Sequence, residues 1–189
     1  HPDDEQAKRE NGQNGKTEMW YVFDSKPGAK LIYGLKEGIT KSEFEGAIKN
    51  STVEDTLKEV PVKPGDSFYM PSGTVHAILD GILVAEIQQN SNTTYRVYDW
   101  NRVDKNGNPR ELHIDKALNV IDFSGEKLKN AERQISNSST NIDNPLYAKK
   151  VLASSEYFTV EELSIKQSYT KNTNGDKFYI YMTVEGKGS

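Results

Sequence analysis

Between residues 17 and 100 the chain is cut into short β-forming runs by tight-turn signals, and this pattern constrains the fold more than any other feature. TEMWYVFD (17–24) reaches AKLIYGL (29–35) through SKPG, EVPVK (59–63) reaches SFYM (67–70) through PGD, and VHAI (75–78) reaches ILVAEIQQ (82–89) through LDG. Pro presets φ and Gly supplies positive φ, so each connector turns the chain rather than extending it. TTYRVYDW (93–100) alternates in character and reads as a further strand, and NRVDKNGNPR after it contains the Asn-Gly hairpin signal. Many short strands at close spacing predict a sandwich or jelly-roll barrel.

Helical signals interrupt the strands. In TKSEFEGAIKN, Thr40 and Glu43 form a capping-box pattern, and Phe44, Ala47 and Ile48 fall at helical spacing. STVEDTLKEV repeats the idea with Ser51 and Glu54, which predicts two short helices inserted between strands, and IDKALNVIDF (114–123) predicts another. Residues 124–145 are polar with almost no core-forming side chains and read as a linker. YAKKVLASSEYFTVEELSIKQSYT and DKFYIYMTVEGKGS return to strand character. The expected organisation is a β-domain over 1–123, a linker over 124–145, and the start of a second β-domain over 146–189.

Composition narrows the function. A net charge of -4 gives no overall attraction to nucleic acid or to an anionic membrane. The absence of Cys excludes disulfides, thiolate metal sites and cysteine nucleophiles. No apolar run is long enough to span a bilayer. HPDDEQAKRE has no apolar centre and so is not a signal peptide, and it lacks an initiator Met, which suggests a trimmed chain.

The chemistry-bearing motif lies in PGDSFYMPSGTVHAI. Gly65, Pro71, Gly73 and His76 form the spacing G(x5)PxGxxH, which resembles the second sequence motif of the cupins. Gly65 permits a tight turn, Pro71 ends a strand without a ladder donor, and Gly73 can take positive φ. His76 then opens the next strand with its ring set by the pleat. The plain alternative is a hairpin bearing a surface His. Three His are present, at 1, 76 and 113, and Glu18 opens the aromatic-rich first strand. A set of His1, Glu18 and His76 suits a catalytic zinc with an open position, or another divalent metal; an ordinary strand-end carboxylate is the plain reading of Glu18. His113 reads as a structural or surface His. Glu86 breaks the apolar run ILVAEI, which places it in the barrel or at its mouth, where a carboxylate is unusual without a role.

HPDDEQAKRENGQNGKTEMWY, PSGTVHAI and EIQQNSNTTYRVYDWNR, in this order, resemble the type I mannose-6-phosphate isomerases (phosphomannose isomerases) in their short bacterial form, within the cupin superfamily. The resemblance is strong from His1 to about Phe123 and weaker beyond. It implies a mainly β cupin double-stranded β-helix, or jelly roll, with short inserted helices, followed by part of a second β-domain. The family holds its metal, zinc or another divalent ion, with a Gln, a His, a Glu and a second His. His1, Glu18 and His76 match the last three, and the Gln would fall two residues before His1, so the chain is expected to be truncated at both ends. Lys16 in GKTE matches an active-site Lys, Glu86 a carboxylate proposed for proton transfer, and Arg96 an essential Arg. Arg102 falls where relatives often carry a Lys near the phosphate, with Lys16 a second phosphate candidate. Asn92 departs from the Asp usual in the family. The implied activity is a cytoplasmic, metal-dependent interconversion of mannose 6-phosphate and fructose 6-phosphate through a cis-enediol, by a monomer or weak dimer whose partner is a small phosphosugar, with no nucleic acid and no membrane. Against it stand a non-catalytic cupin that binds sugar or metal, an iron dioxygenase, for which the HxH pair is missing, and a metal-free sugar-nucleotide epimerase, which leaves the His-Glu-His set unexplained.

Overall fold

A computed structural model describes residues 1–138 and 140–187. Helix α1 (Asp4–Asn11) leads into β1 (Glu18–Ser25) and β2 (Lys30–Leu35). Helix α2 (Lys41–Lys49) and a 3-10 turn (Val53–Thr56) precede β3 (Leu57–Pro61), β4 (Ser67–Met70), β5 (His76–Ile78) and β6 (Ile82–Gln88). Helices α3 (Ile114–Val120) and α4 (Glu126–Ser136) separate these from β7 (Ile142–Asp143), β8 (Tyr147–Ser154) and β9 (Thr159–Ile165).

The first six strands form two antiparallel sheets, β4-β1-β6 and β3-β2-β5, whose inner faces pack together in the expected cupin-like jelly roll. The two-residue period of a strand decides what lies between them. Trp20 and Val22 of β1, with Phe68 and Met70 of β4, meet Leu31 and Tyr33 of β2 in one buried cluster. Glu18 shares the face of Trp20 and Val22, two residues earlier. His76 pairs with Tyr33 at the end of the opposite sheet. The same alternation that builds the core therefore brings a carboxylate and an imidazole to one end of it.

Each outer face is covered. Ile32 of β2 turns toward α2 and α3 and is buried with Phe44, Val53, Leu57 and Leu118. Met19 of β1 faces the third sheet, β7-β8-β9, where it is buried with Leu152 and Ala153. No helix among the described residues is long and apolar enough to cross a membrane.

Several expectations change. Thr40 caps α2 through both arms of the capping box, but the segment after Ser51 forms only the 3-10 turn, with no side-chain cap. There Glu54 accepts a hydrogen bond from the Tyr98 hydroxyl instead of capping a helix. TTYRVYDW is not a strand, because the groups a ladder would use bond elsewhere. The Thr93 carbonyl accepts from the His1 ring, the Arg96 carbonyl accepts from the His113 N–H, and the Arg96 N–H donates to His113 Nδ1. Within 124–145, where a linker was expected, α4 buries Ala131 and packs Leu128 against the sandwich core. Residues 176–184 (DKFYIYMTV) form no strand, and Phe178 and Ile180 are exposed. Helix α1 was not expected at all. Asp3 caps its first turn by accepting from the Gln6 N–H, and Gly12 closes it in the left-handed conformation.

Candidate active site

His1, Glu18 and His76 converge at the end of the sandwich, with one ligating atom from each lying within 4.8 Å of the others. Glu18 Oε2 lies 3.0 Å from His76 Nε2, and Oε1 lies 3.4 Å from His1 Nε2. The two imidazole centroids are 4.9 Å apart. His76 Nδ1 is 2.8 Å from the Thr74 carbonyl oxygen and His1 Nδ1 is 3.0 Å from that of Thr93. A carbonyl only accepts, so both Nδ1 atoms carry the proton and each neutral ring presents its Nε2 lone pair to Glu18. Two lone pairs and a carboxylate thus face one another, an arrangement that a divalent cation between them resolves. The donor set fits zinc and other borderline divalent ions.

Turns set these side chains. Gly73, at φ 87°, donates its N–H to the His1 carbonyl at 2.8 Å, and the Lys16 N–H donates to the Pro2 carbonyl at 3.1 Å. The segment carrying His1 is thereby fixed to the turn before His76 and to the residue two before Glu18. Gly65, the first residue of the motif, also holds positive φ in its turn.

Glu18 is almost fully buried. Burial alone raises its pKa; were His1 and His76 also protonated at Nε2, their hydrogen bonds and charges would overcome that and hold the carboxyl far below its usual range. Lys16 Nζ lies 2.6 Å from Glu18 Oε1 and 3.8 Å from Glu86 Oε1. Lys16 is therefore drawn into the site rather than left as solvated surface.

Glu86 lies opposite Trp20 in the β1–β6 ladder and accepts from the indole Nε1 at 3.1 Å. Its side chain keeps 36% of its surface exposed, so it stands at the mouth of the site and not in a dry interior. What distinguishes it is the Trp20 hydrogen bond together with the Lys16 charge beside it. Trp20 also sets its ring edge against His76, with centroids 5.2 Å apart. Its signal in the sequence was its place two residues after Glu18, on the same strand face.

An open cavity of about 380 Å³ joins this cluster to a second, cationic one. Arg96 lines it, with Nη1 donating to the Glu111 carbonyl at 3.2 Å. Arg102 lines it too, pairing with Asp99 at 2.8 Å and lying 5.3 Å from the centre of the Trp100 ring. Lys16 and Arg102, both phosphate candidates, thus belong to separate clusters, with no ion pair joining the two among the described residues. Sequence reasoning missed Arg110, which lines the same cavity and also pairs with Asp99. The Arg110 hydrogen bond lowers the Asp99 pKa, burial opposes it, and the Arg102 charge adds to the lowering. Asn92 is exposed.

No protein-family model matches the chain. Individual proteins do. The chain is 52% identical over 123 residues to the mannose-6-phosphate isomerase ManA of Bacillus subtilis, covering 65% of this chain and 39% of that protein. It is 47% identical over 121 residues to the mannose-6-phosphate isomerase of Streptococcus mutans, covering 64% and 38%. Against the YvyI protein of Bacillus subtilis the match runs over 189 residues at 40% identity, which is 100% of this chain and 57% of that protein. The crystal structure of the mannose 6-phosphate isomerase from Bacillus subtilis superposes with a TM-score of 0.71 at 38% identity, over 87% of this chain and 50% of that one. The chain spans between 38% and 57% of the lengths of these curated relatives. Sequence and fold together place the chain in the mannose-6-phosphate isomerase family.

Proposed function

We propose that this chain carries the metal centre and reaction cavity of an enzyme that interconverts mannose 6-phosphate and fructose 6-phosphate. The observation that carries the reading is the convergence of His1, Glu18 and His76 on one point, in a cavity also lined by Lys16, Glu86 and Arg96. We read residues 1–123 as the metal-binding unit and 146–189 as the start of a second β-unit. A cytoplasmic setting belongs to the same proposal.

His1 and His76 through Nε2, and Glu18 through its carboxylate, would hold a divalent cation, zinc first. When bound, the cation supplies a Lewis-acidic positive charge that polarises sugar oxygens. Glu86 is the candidate base. It takes the proton from C2 of the open-chain sugar and returns it to C1 while a second proton passes from O2 to O1, so that the sugar goes through a cis-enediol. Trp20 Nε1 holds one Glu86 oxygen by a hydrogen bond and the Lys16 charge attracts the other, which aims the carboxylate at the cavity. Lys16 and Arg96 offer cationic donors to the oxygens that gain negative charge as the proton leaves. Arg102 offers a guanidinium to the phosphate.

The test is conversion of mannose 6-phosphate by the metal-loaded chain, with and without a chelator, beside Glu86→Gln. The reading expects turnover that the chelator abolishes, and a kcat lowered roughly 100-fold or more by the substitution. Bound metal without turnover would favour a non-catalytic binding protein instead.

A further inference from the structure

Two guanidiniums, not one, meet at the cationic part of the cavity. The Asn-Gly signal closes a small hairpin: the Asp104 N–H donates to the Asn108 carbonyl at 2.8 Å, Gly107 holds φ 83°, and Val103 bridges Pro109. Arg102 and Arg110 flank that bridge and so leave the hairpin side by side. Asp99, a buried carboxylate, receives both. Arg102 Nη2 lies 2.8 Å from Oδ1 and Arg110 Nε lies 2.7 Å from Oδ2, with Arg110 Nη2 also on Oδ1. Arg102 Nε donates to the Asp99 carbonyl at 3.2 Å, and the Trp100 ring lies against its guanidinium.

One carboxylate thus orients two guanidiniums and leaves one positive charge in excess. Neither Nη1 has a hydrogen-bond acceptor among the described residues, and both side chains remain about half exposed, at 59% and 52%. A fixed pair of planar donors beside a cavity suits a tetrahedral dianion, and a phosphate monoester carries about -1.5 to -2 charges at neutral pH.

We propose that Arg110 is a phosphate-binding residue beside Arg102, and that Asp99 positions the two as a clamp for the phosphate monoester of the sugar. The inference rests on reading the cavity as a phosphosugar site. Asp99 acts through the arginines and touches no substrate. The plain alternative is that Arg110 only ties the hairpin to Asp99.

The two differ in what Arg110→Gln does to discrimination. A phosphate ligand contributes only when the sugar is phosphorylated. Its loss should lower the ratio of kcat/KM for mannose 6-phosphate over mannose by roughly 10- to 100-fold, mainly through KM. Arg110→Lys, which keeps the charge but loses the fork, should fall between. A hairpin tie would move both sugars together and leave the ratio unchanged, which overturns the proposal. Metal affinity, measured on the same proteins, reports whether the variant remains folded. Calorimetric titration with inorganic phosphate decides the case without turnover. Binding by the unmodified chain that weakens at least several-fold in Arg110→Gln upholds the clamp, even if the chain isomerises nothing and the proposed activity fails. Equal binding by both proteins, or none by the unmodified chain at millimolar phosphate, overturns it.

Discussion

Gly73 sits at φ 87° with no space for a side chain: a Cβ there would lie 2.6 Å from the Val120 carbonyl oxygen. Gly73→Ala combines left-handed strain, about 1–3 kcal/mol for a non-Gly residue, with that clash. Because the Gly73 N–H also holds the His1 carbonyl, the variant should both lose stability in urea unfolding and bind metal more weakly. Asp99 makes a pH prediction. Its pKa is depressed below the ordinary 3.8, chiefly by the Arg110 hydrogen bond. A depressed carboxylate contributes stability that is complete above its unfolded pKa and is lost as pH falls through the folded one. Arg110→Gln returns that pKa toward its ordinary value, so the fall in stability below about pH 4 should be shallower than in the unmodified chain. The spacing from Gly65 to His76 was legible because every constraint in it is local. Arg110 was not, because the hairpin that carries it to Asp99, eleven residues earlier, has to close first.

The elements divide the same way. Strands β1, β2, β4 and β6 were legible, because alternation and turn chemistry agreed. TTYRVYDW alternates as well, yet its backbone is committed to His1 and His113, a contest that periodicity cannot register. Helix α4 was obscured by its polar composition. Leu128, Ala131 and Ile135 form a narrow apolar stripe, and only the presence of a receiving core makes it a helix face. Helix α2 is the opposite case, announced by its capping box and formed as announced. Thr40→Ala removes the hydroxyl that accepts the Glu43 N–H at 3.2 Å. Such a loss costs about 1 kcal/mol, and it should appear in thermal unfolding without altering metal affinity, since α2 lies on the outer face of the second sheet.

Across the whole molecule, the third sheet is bound to the sandwich by buried packing and by polar ties. Leu152 and Ala153 cover Met19, the Tyr157 hydroxyl donates to Asp4 at 2.9 Å, and that of Tyr21 donates to Glu162 at 3.2 Å. Between the two parts, α4 contacts the core through Leu128. Leu152→Ala should cost about 2–5 kcal/mol and shift one cooperative transition, where independent units would show two. Helix α1 shares this tie through Asp4, which also accepts the Gly15 N–H at 2.7 Å, and so the sheets, α1 and the approach to Glu18 form one frame around His1. The claim on which the rest depends is that this frame builds a metal centre from His1, Glu18 and His76. X-ray absorption at the zinc edge, on the chain loaded with one equivalent, tests it directly. The account predicts two imidazole nitrogens and a carboxylate oxygen at about 2.0–2.2 Å, with one nitrogen lost in His76→Ala. Zinc that does not bind, or a coordination shell unchanged by that substitution, would contradict it.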